Sequence, residues 1–248
     1  MNLELKKKVV LLTGAGKGIG REILNLLIKE KIIVYAITRN KKDFKWVKKN
    51  KYVYLFEGDI TNQKLIDEIY DHSKKRKHSF NCLINNAGIR QRKNFLKITN
   101  KDLNEVFENN FFSIYKLIQK FSKEFKFKNN MGSIINISSI VGNLGFKELS
   151  GYASTKSALD GLTKSLAVEL AEKKIRVNSI APGFIKSSYF KNFKKNKPKL
   201  YKWTLSRIPI NTWGENLDVA NLALFLLSEQ SKYINGQIIK IDGGWTSS

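Results

Sequence analysis

Short apolar runs alternate with longer amphipathic stretches along almost the whole chain. The short runs are rich in β-branched residues and nearly continuous in apolar character, which is typical of strands buried on both faces of a parallel sheet. Seven runs are predicted as strands: 8–14, 32–38, 51–59, 80–88, 132–139, 175–183 and 236–244. Apolar residues recur at helical spacing between them, at 19–30, 62–75, 102–125, 151–173 and 216–230. This alternation predicts right-handed βαβ units and an α/β fold, a doubly wound parallel seven-stranded sheet with helices on both faces.

The stretch at 184–212 follows neither pattern and is too long for a plain connection. We expect it to form a lid over a substrate site, with an extra surface helix as the alternative. No internal repeat or linker interrupts the rest of the chain. We therefore expect a single domain over residues 1–248.

The net charge of +24 has less influence on the choice of partner than its size suggests. It comes from 38 lysines against 7 arginines, spread over 248 residues. Because arginine carries most base-edge recognition, we expect no specific nucleic-acid partner, although the charge should attract anionic substrates. No apolar run is long enough for a membrane span. The first apolar run is too short for a signal-peptide core, so we expect no secretory or transit segment. We expect a cytoplasmic protein.

The residues that most often bind metals are scarce. Cys82 is the only cysteine and lies in an apolar run, so we expect a buried thiol, with no intramolecular disulfide. His72 and His78 lie in the lysine-rich stretch at 70–78 and are predicted to be exposed. We expect no metal site and no histidine base.

The first predicted strand ends in a glycine-rich turn, "TGAGKGIG" at 13–20. Such a turn lets the backbone approach a pyrophosphate, whose charge is stabilised by the amino end of the following helix. The turn follows a strand, opens a helix and begins the βαβ series. It therefore predicts a dinucleotide site of the Rossmann type.

The spacing of this turn resembles that of the short-chain dehydrogenase/reductase family. Four further motifs follow in the same order as in that family: "NNAG" at 85–88, "ISS" at 137–139, "YASTK" at 152–156 and "PGFIKS" at 182–187. The resemblance covers essentially the whole chain. It implies an oxidoreductase that transfers a hydride between a nicotinamide cofactor and a ketone or secondary alcohol.

The residues after the second predicted strand favour NADP over NAD. An NAD enzyme has an acidic residue here for the ribose 2′-hydroxyl, but this chain has Thr38 and Arg39, with no carboxylate before Asp43. Arg39 can bind the 2′-phosphate of NADPH, and Lys17 supplies a second cation. The resemblance also implies an adenine contact for Asp59 and a place beside the ribose for Asn86. The complete expected set of cofactor residues is Gly14, Gly16, Lys17, Gly18, Ile19, Gly20, Thr38, Arg39, Asp59, Ile60, Asn86, Ala87, Gly88, Tyr152, Lys156, Pro182, Gly183 and Ile185.

The resemblance also implies a catalytic group of four residues. Tyr152 would be the acid/base, and Lys156, one helical turn later, would lower the pKa of the phenol and hold the nicotinamide ribose. Ser139 would hydrogen-bond the substrate oxygen. Asn110 matches an asparagine in a water-linked proton path to the lysine, with Asn109 as the alternative.

Two substrate classes compete. The region around "NNAGIRQRK" and the carboxyl-terminal stretch ending in Trp245 resemble sugar and sugar-acid dehydrogenases. Arg90, Arg92 and Lys93 could then bind a carboxylate or several hydroxyls. We favour this class, a small polar substrate that includes anionic ones.

The alternative is a 3-oxoacyl-acyl carrier protein reductase, which "SSIVGNLG" at 138–145 resembles. Acyl carrier protein would then be a partner. However, the two arginines that bind the carrier protein in those reductases are replaced by Asn130 and Lys173 in this chain. A third possibility, a non-enzymatic NADP- or nucleic-acid-binding protein, predicts loss of Ser139, Tyr152 or Lys156, and all three are present. The family resemblance further implies a homotetramer, with the helices at 102–128 and 152–173 packing between subunits.

Overall fold

The computed structural model describes residues 5, 7–47, 50–126, 131–187 and 190–247. Its centre is a seven-stranded sheet in the order β3-β2-β1-β4-β5-β6-β7, in which all neighbouring strands are parallel. The strands are β1 (Val9–Thr13), β2 (Ile33–Thr38), β3 (Val53–Glu57), β4 (Cys82–Asn85), β5 (Gly132–Ile137), β6 (Ile175–Pro182) and β7 (Ile238–Ile241). The predicted doubly wound α/β fold is therefore confirmed.

Helices cover both faces of this sheet. They are α1 (Gly18–Lys29), α2 (Gln63–Lys75), α3 (Asn100–Phe107), α4 (Ser113–Glu124), α5 (Ser150–Glu169), α6 (Phe190–Asn196), α7 (Pro198–Ser206) and α8 (Asn216–Leu227). Val10 and Leu12 of β1 belong to the core under α1 and α8, whereas Val9 and Leu11 belong to the core under α2, α4 and α5. Successive strand residues point to opposite faces, so burial of both sets explains why the strands are continuously apolar.

The long helix predicted at 102–125 is wrong in one respect. The structure has two helices, α3 and α4, joined by a π-helical turn at Glu108–Phe112. The Ser113 N–H donates to the Glu108 carbonyl five residues earlier, and the Ser113 hydroxyl donates to the Asn109 carbonyl at 3.0 Å. The wider turn leaves Asn110 fully buried. Turns of this kind often occur at functional sites.

The prediction that His72 and His78 are exposed is also wrong. Both are half-buried and pack edge-on against Tyr35 of β2, whose hydroxyl lies 3.0 Å from Nδ1 of His78. Burial lowers the pKa of both imidazoles. Cys82 is buried as predicted, and burial raises the pKa of its thiol to about 11.

The described part of the predicted lid, 184–187 and 190–212, contains α6 and α7. Aromatic side chains of this segment pack on Trp213, which follows it, with ring centroids 5.0 Å away for Phe184 and 5.1 Å away for Phe190. The Trp213 indole N–H donates to the Thr204 hydroxyl at 2.9 Å. The described part of the segment therefore contains two helices, where the alternative interpretation expected one; the role as a lid stays a prediction. None of the helices in the described ranges is long and apolar enough to cross a membrane.

Candidate functional site

Three of the four predicted catalytic residues line one cavity at the carboxyl edge of the sheet. Ser139 follows β5 and caps a short 3₁₀ turn (Ile140–Gly142), while Tyr152 and Lys156 lie one turn apart on α5. Their cavity, here called the tyrosine cavity, has a volume of about 330 Å³. The Ser139 side chain is close enough to Tyr152 to lower the pKa of the phenol.

Asn110 lies behind this cavity and does not line it. Its Oδ1 accepts from the Ile89 N–H at 2.8 Å, and its Nδ2 donates to the Ile89 carbonyl at 2.9 Å. A Cβ built on Gly88 would lie 3.0 Å from Asn110 Oδ1 and 3.9 Å from Lys156 Nζ, so both side chains face Gly88. Asn109, the alternative candidate, is half-buried and lines a different cavity.

Lys156 is buried, and no carboxylate of the described residues forms a salt bridge with it. Its Nζ donates to the Ile137 carbonyl at 2.7 Å and lies 5.7 Å from the centre of the Tyr152 ring. Burial lowers the pKa of the ammonium to about 8, with the carboxylate of Asp160 acting in the opposite direction. Lys156 therefore titrates much closer to neutral pH than an exposed lysine does.

The expectation that Lys156 lowers the pKa of Tyr152 stays a prediction, because other groups dominate this pKa in the structure. Burial raises the pKa of the phenol, and the opposing influences are the charge of Arg90 and the hydrogen bond with Ser139. The physical reason is that removing the phenolate from water costs more than these two contacts return. Tyr152 is therefore a neutral phenol at neutral pH.

Asp160 is a residue that the sequence reasoning missed. It is buried on α5, one turn after Lys156, and accepts hydrogen bonds from Ser179 of β6 at 3.1 Å and from Asn143 at 3.2 Å. Burial raises the pKa of its carboxyl group. It thereby ties α5 to β6 and to the segment that follows Ser139. Its spacing of four residues from Lys156 was the signal that could have identified it.

A second cavity of about 380 Å³ lies at the glycine-rich turn and is called here the glycine-loop cavity. Asn86 and Gly88 line both cavities, so the two are neighbours. Ten of the predicted cofactor residues line the glycine-loop cavity: Gly14, Gly16, Lys17, Thr38, Arg39, Asp59, Ile60, Asn86, Ala87 and Gly88. Eight of the predicted cofactor residues line the tyrosine cavity: Ile19, Asn86, Gly88, Tyr152, Lys156, Pro182, Gly183 and Ile185.

Gly18 and Gly20 line neither cavity but shape the turn between them. A Cβ on Gly20 would lie 2.1 Å from the Gly14 carbonyl oxygen, and Gly14 itself has a φ of +66°. The Asn86 side chain donates to the same Gly14 carbonyl at 2.9 Å and so fixes the turn against β4. Lys17 precedes α1 without a side-chain capping bond, so its side chain does not occupy the helix amino terminus. These features fit a bound pyrophosphate.

The two cations expected at the cofactor site each have an acidic neighbour. Lys17 Nζ lies 3.2 Å from Asp43 Oδ1, and Arg39 Nη1 lies 4.0 Å from Asp59 Oδ2. Asp43 lies five residues after Thr38 in sequence, but a 3₁₀ turn at Lys41–Phe44 brings it to the glycine-loop cavity.

Aromatic residues form much of the wall of the tyrosine cavity, here called the aromatic wall. It contains Phe146, Phe184, Phe190, Phe193 and Trp213. Of the three cations predicted at the entrance, only Arg90 lines the cavity.

The other residues on which the sugar prediction depends are paired or packed with residues outside the cavity or with its wall. Arg92 pairs with Glu148 at 3.5 Å, and Lys93 pairs with Asp102. Trp245 is buried and packs on Phe184, with ring centroids 5.1 Å apart.

Comparison with known proteins identifies the family. A family model described as enoyl-(acyl carrier protein) reductase matches residues 14–246. The chain belongs to the short-chain dehydrogenase/reductase family. This short-chain dehydrogenase/reductase is an oxidoreductase that acts between CH–OH and C=O groups.

Curated relatives of this short-chain dehydrogenase/reductase span nearly its whole length. It is 35% identical to the 3-oxoacyl-(acyl-carrier-protein) reductase FabG of Buchnera aphidicola subsp. Schizaphis graminum, covering 98% of both chains. It is 34% identical to L-2,3-butanediol dehydrogenase of Corynebacterium glutamicum, covering 96% of this chain and 98% of the relative. Among solved structures, 4-hydroxyisoleucine dehydrogenase complexed with NADH is similar, with a TM-score of 0.90, 30% identity and coverage of 97% and 99%. A nicotinamide cofactor is thus supported.

Proposed function

We propose that this enzyme reduces the keto group of a 3-oxoacyl thioester, with NADPH as the preferred cofactor. The observation that carries the proposal is the aromatic wall of the tyrosine cavity, next to Ser139, Tyr152 and Lys156. An aromatic wall suits an acyl chain better than a polyhydroxylated sugar, because it offers few hydrogen-bonding partners. The similarity to FabG proteins supports the same class. This proposal reverses the preference that the sequence suggested.

Each catalytic residue has one task in the proposed reduction. A reduced nicotinamide cofactor held by the glycine-loop cavity and Lys156 would supply the hydride that the carbonyl carbon receives. Tyr152, a neutral phenol, donates its proton to the carbonyl oxygen, which becomes the product hydroxyl. Ser139 donates a hydrogen bond to the same oxygen, and Lys156 holds the nicotinamide ribose. Because a neutral phenol is ready to donate, the site is suited to reduction.

Asn110 serves this reaction from behind the cavity. It fixes the backbone of Ile89 and faces Gly88 together with Lys156. We assign it to a water-linked path that returns a proton to the phenol through Lys156. Burial of Asn110 and exposure of Asn109 to the glycine-loop cavity favour Asn110 for this task.

The preference for NADPH rests on Lys17 and Arg39. Both line the glycine-loop cavity, where an arginine and a lysine can bind the 2′-phosphate of the cofactor. The described part of the segment 184–212 contributes Phe184, Phe190 and Phe193 to the tyrosine cavity, and this supports a role as the substrate lid.

A small polar substrate, such as a sugar or sugar acid, is the second candidate. Arg90 favours it, because its guanidinium lines the tyrosine cavity and could bind a carboxylate. The similarity to L-2,3-butanediol dehydrogenase also fits a small alcohol.

Under the first candidate, acyl carrier protein is the partner. Lys173 is exposed and retains the positive charge expected at one contact, while Asn130 lies outside the described residues.

We also propose a homotetramer built through α4 and α5. Phe112 and Tyr115 are 45% and 46% exposed near and on α4, and Val168 on α5 is 78% exposed, whereas Phe121 is already buried within the subunit. Exposed apolar groups of this size are typical of contacts between subunits.

The proposal is tested by following NADPH oxidation with two sets of ketones. One set contains 3-oxoacyl thioesters, free and linked to acyl carrier protein; the other contains keto-sugars and keto-sugar acids. Turnover of the thioesters supports the proposal, and turnover of the sugars alone overturns it in favour of the second candidate.

Two variants test the role of the phenol in the same assay. Tyr152→Phe should lose at least about a hundredfold in rate, since it removes the proton donor, with NADPH affinity nearly unchanged. Tyr233→Phe removes a hydroxyl from a fully exposed tyrosine and is the matched control. Retention of more than about a tenth of the wild-type rate by Tyr152→Phe would remove that residue from acid/base chemistry.

A further inference from the structure

The charged side chains that line the glycine-loop cavity sum to zero among the described residues. Among the described residues that line it, the cations are Lys17 and Arg39 and the carboxylates are Asp43 and Asp59. Each cation lies within 4.0 Å of a carboxylate oxygen. A 2′-phosphate therefore enters a site with no net charge, although the whole chain carries +24.

Asp43 is held in this cavity by the fold. Its side chain is 16% exposed, and its Oδ2 lies 3.5 Å from the Thr38 hydroxyl, which donates to it. The next residue, Phe44, is buried in the core beneath α1, and the side chain of Asn40 accepts from the Lys42 N–H at 3.0 Å. These contacts fix both ends of the 3₁₀ turn that carries the carboxylate.

The carboxylate also stands directly against the glycine-rich turn. A Cβ built on Gly16 would lie 3.1 Å from Asp43 Oδ2 and 2.6 Å from Thr38 Oγ1. Asp43 thus lies beside the end of β2, the strand after which NAD-binding Rossmann folds carry an acidic residue, although it comes five residues after Thr38.

We propose that Asp43 limits the preference for NADPH, so that this enzyme binds both NADPH and NADH. This inference rests on the proposed function, in which the glycine-loop cavity holds the adenosine end of the cofactor. The carboxylate neutralises Lys17 and repels a 2′-phosphate, whereas it can accept a hydrogen bond from a free 2′-hydroxyl. Lys17 must exchange Asp43 for the phosphate when NADPH binds, and Arg39 supplies the remaining attraction.

Calorimetric binding of 2′,5′-ADP and 5′-AMP tests this role without any turnover. The two probes differ only in the 2′-phosphate. Asp43→Asn should tighten 2′,5′-ADP by about tenfold, the size expected for removing one charge near a phosphate at the protein surface, while 5′-AMP changes by no more than about threefold. Glu57→Gln is the matched control, because Glu57 is a nearby carboxylate that does not line the glycine-loop cavity.

A Lys17→Gln background provides the second measurement. If Asp43 acts by neutralising Lys17, the effect of Asp43→Asn on 2′,5′-ADP should be smaller there, as a double-mutant cycle would show. The inference is overturned if Asp43→Asn leaves the ratio of the two affinities within about twofold of wild type, or if Glu57→Gln shifts it equally. If neither nucleotide binds the wild-type protein, the proposed cofactor site fails as well. Binding of both with no effect of Asp43→Asn removes only the role of Asp43.

Discussion

Replacement of Lys156 by methionine should stabilise the protein while removing its activity. The ammonium is buried, and its pKa falls from 10.5 to about 8 on folding. A folded-state pKa below the unfolded value means that the folded state disfavours the proton. Methionine has a similar length and carries no charge. The variant therefore avoids a cost that the wild-type protein bears at neutral pH.

The size of the effect follows from the pKa difference. Each pKa unit corresponds to about 1.4 kcal/mol, so the protonated lysine costs about 3 kcal/mol of unfolding free energy near pH 7. Loss of the hydrogen bond to the Ile137 carbonyl offsets about 1 kcal/mol. Lys156→Met should therefore be more stable than wild type by about 2 kcal/mol near neutral pH.

The pH dependence distinguishes this cause from ordinary repacking. Between the folded and unfolded pKa values the unfolded chain binds more protons, so the stability of the wild type rises with pH relative to the variant. The difference should shrink by about 2 kcal/mol between pH 7 and about pH 9.5, and so nearly vanish. Urea unfolding at both pH values, at one protein concentration, measures it.

Lys164→Met is the matched control, because Lys164 lies on the same helix but is exposed. It should show no comparable gain in stability. An advantage of Lys156→Met that stays constant with pH, or a variant less stable than wild type near pH 7, would refute the burial argument.

Two further predictions concern groups around the tyrosine cavity. Asp160→Asn keeps hydrogen-bonding atoms but removes the charge that raises the pKa of Lys156. Any step that needs the ammonium should therefore fail at a lower pH than in the wild type. A pH–rate profile whose alkaline limb does not move would contradict this. Trp213→Ala should lower the unfolding free energy by about 3 kcal/mol and speed hydrogen exchange in α6 and α7, because their aromatic residues lose their common partner. Trp213→Phe, which keeps a ring, should lose less; equal losses for the two would contradict packing as the cause.

The sheet and the glycine-rich turn were predictable because their signals are local. A strand buried on both faces must be apolar throughout, as Val9–Thr13 nearly is, and the closeness of Gly20 to the Gly14 carbonyl excludes a larger side chain. Tyr152 and Lys156 were likewise found together because one helical turn separates them. Such features depend on residues that are neighbours in sequence.

What the sequence did not reveal depends on contacts between distant parts of the chain. His72 and His78 lie among lysines, yet Tyr35 from another element covers them. The pKa of Tyr152 depends on burial under the surrounding segments, which no spacing of residues reveals. Asp43 reaches the glycine-rich turn only because burial of Phe44 folds the chain back.

The π-helical turn at Glu108–Phe112 makes the site sensitive to the number of residues between α3 and α4. A π-helical turn holds one residue more than an α-helical turn, so deleting one residue here would leave a continuous α-helix with α4 close to its present orientation. Leu117 and Phe121 would stay in the core, but Asn110 would lose the wide turn that places it against Ile89. A one-residue deletion should therefore spare most of the packing of α4 and act mainly on the position of Asn110.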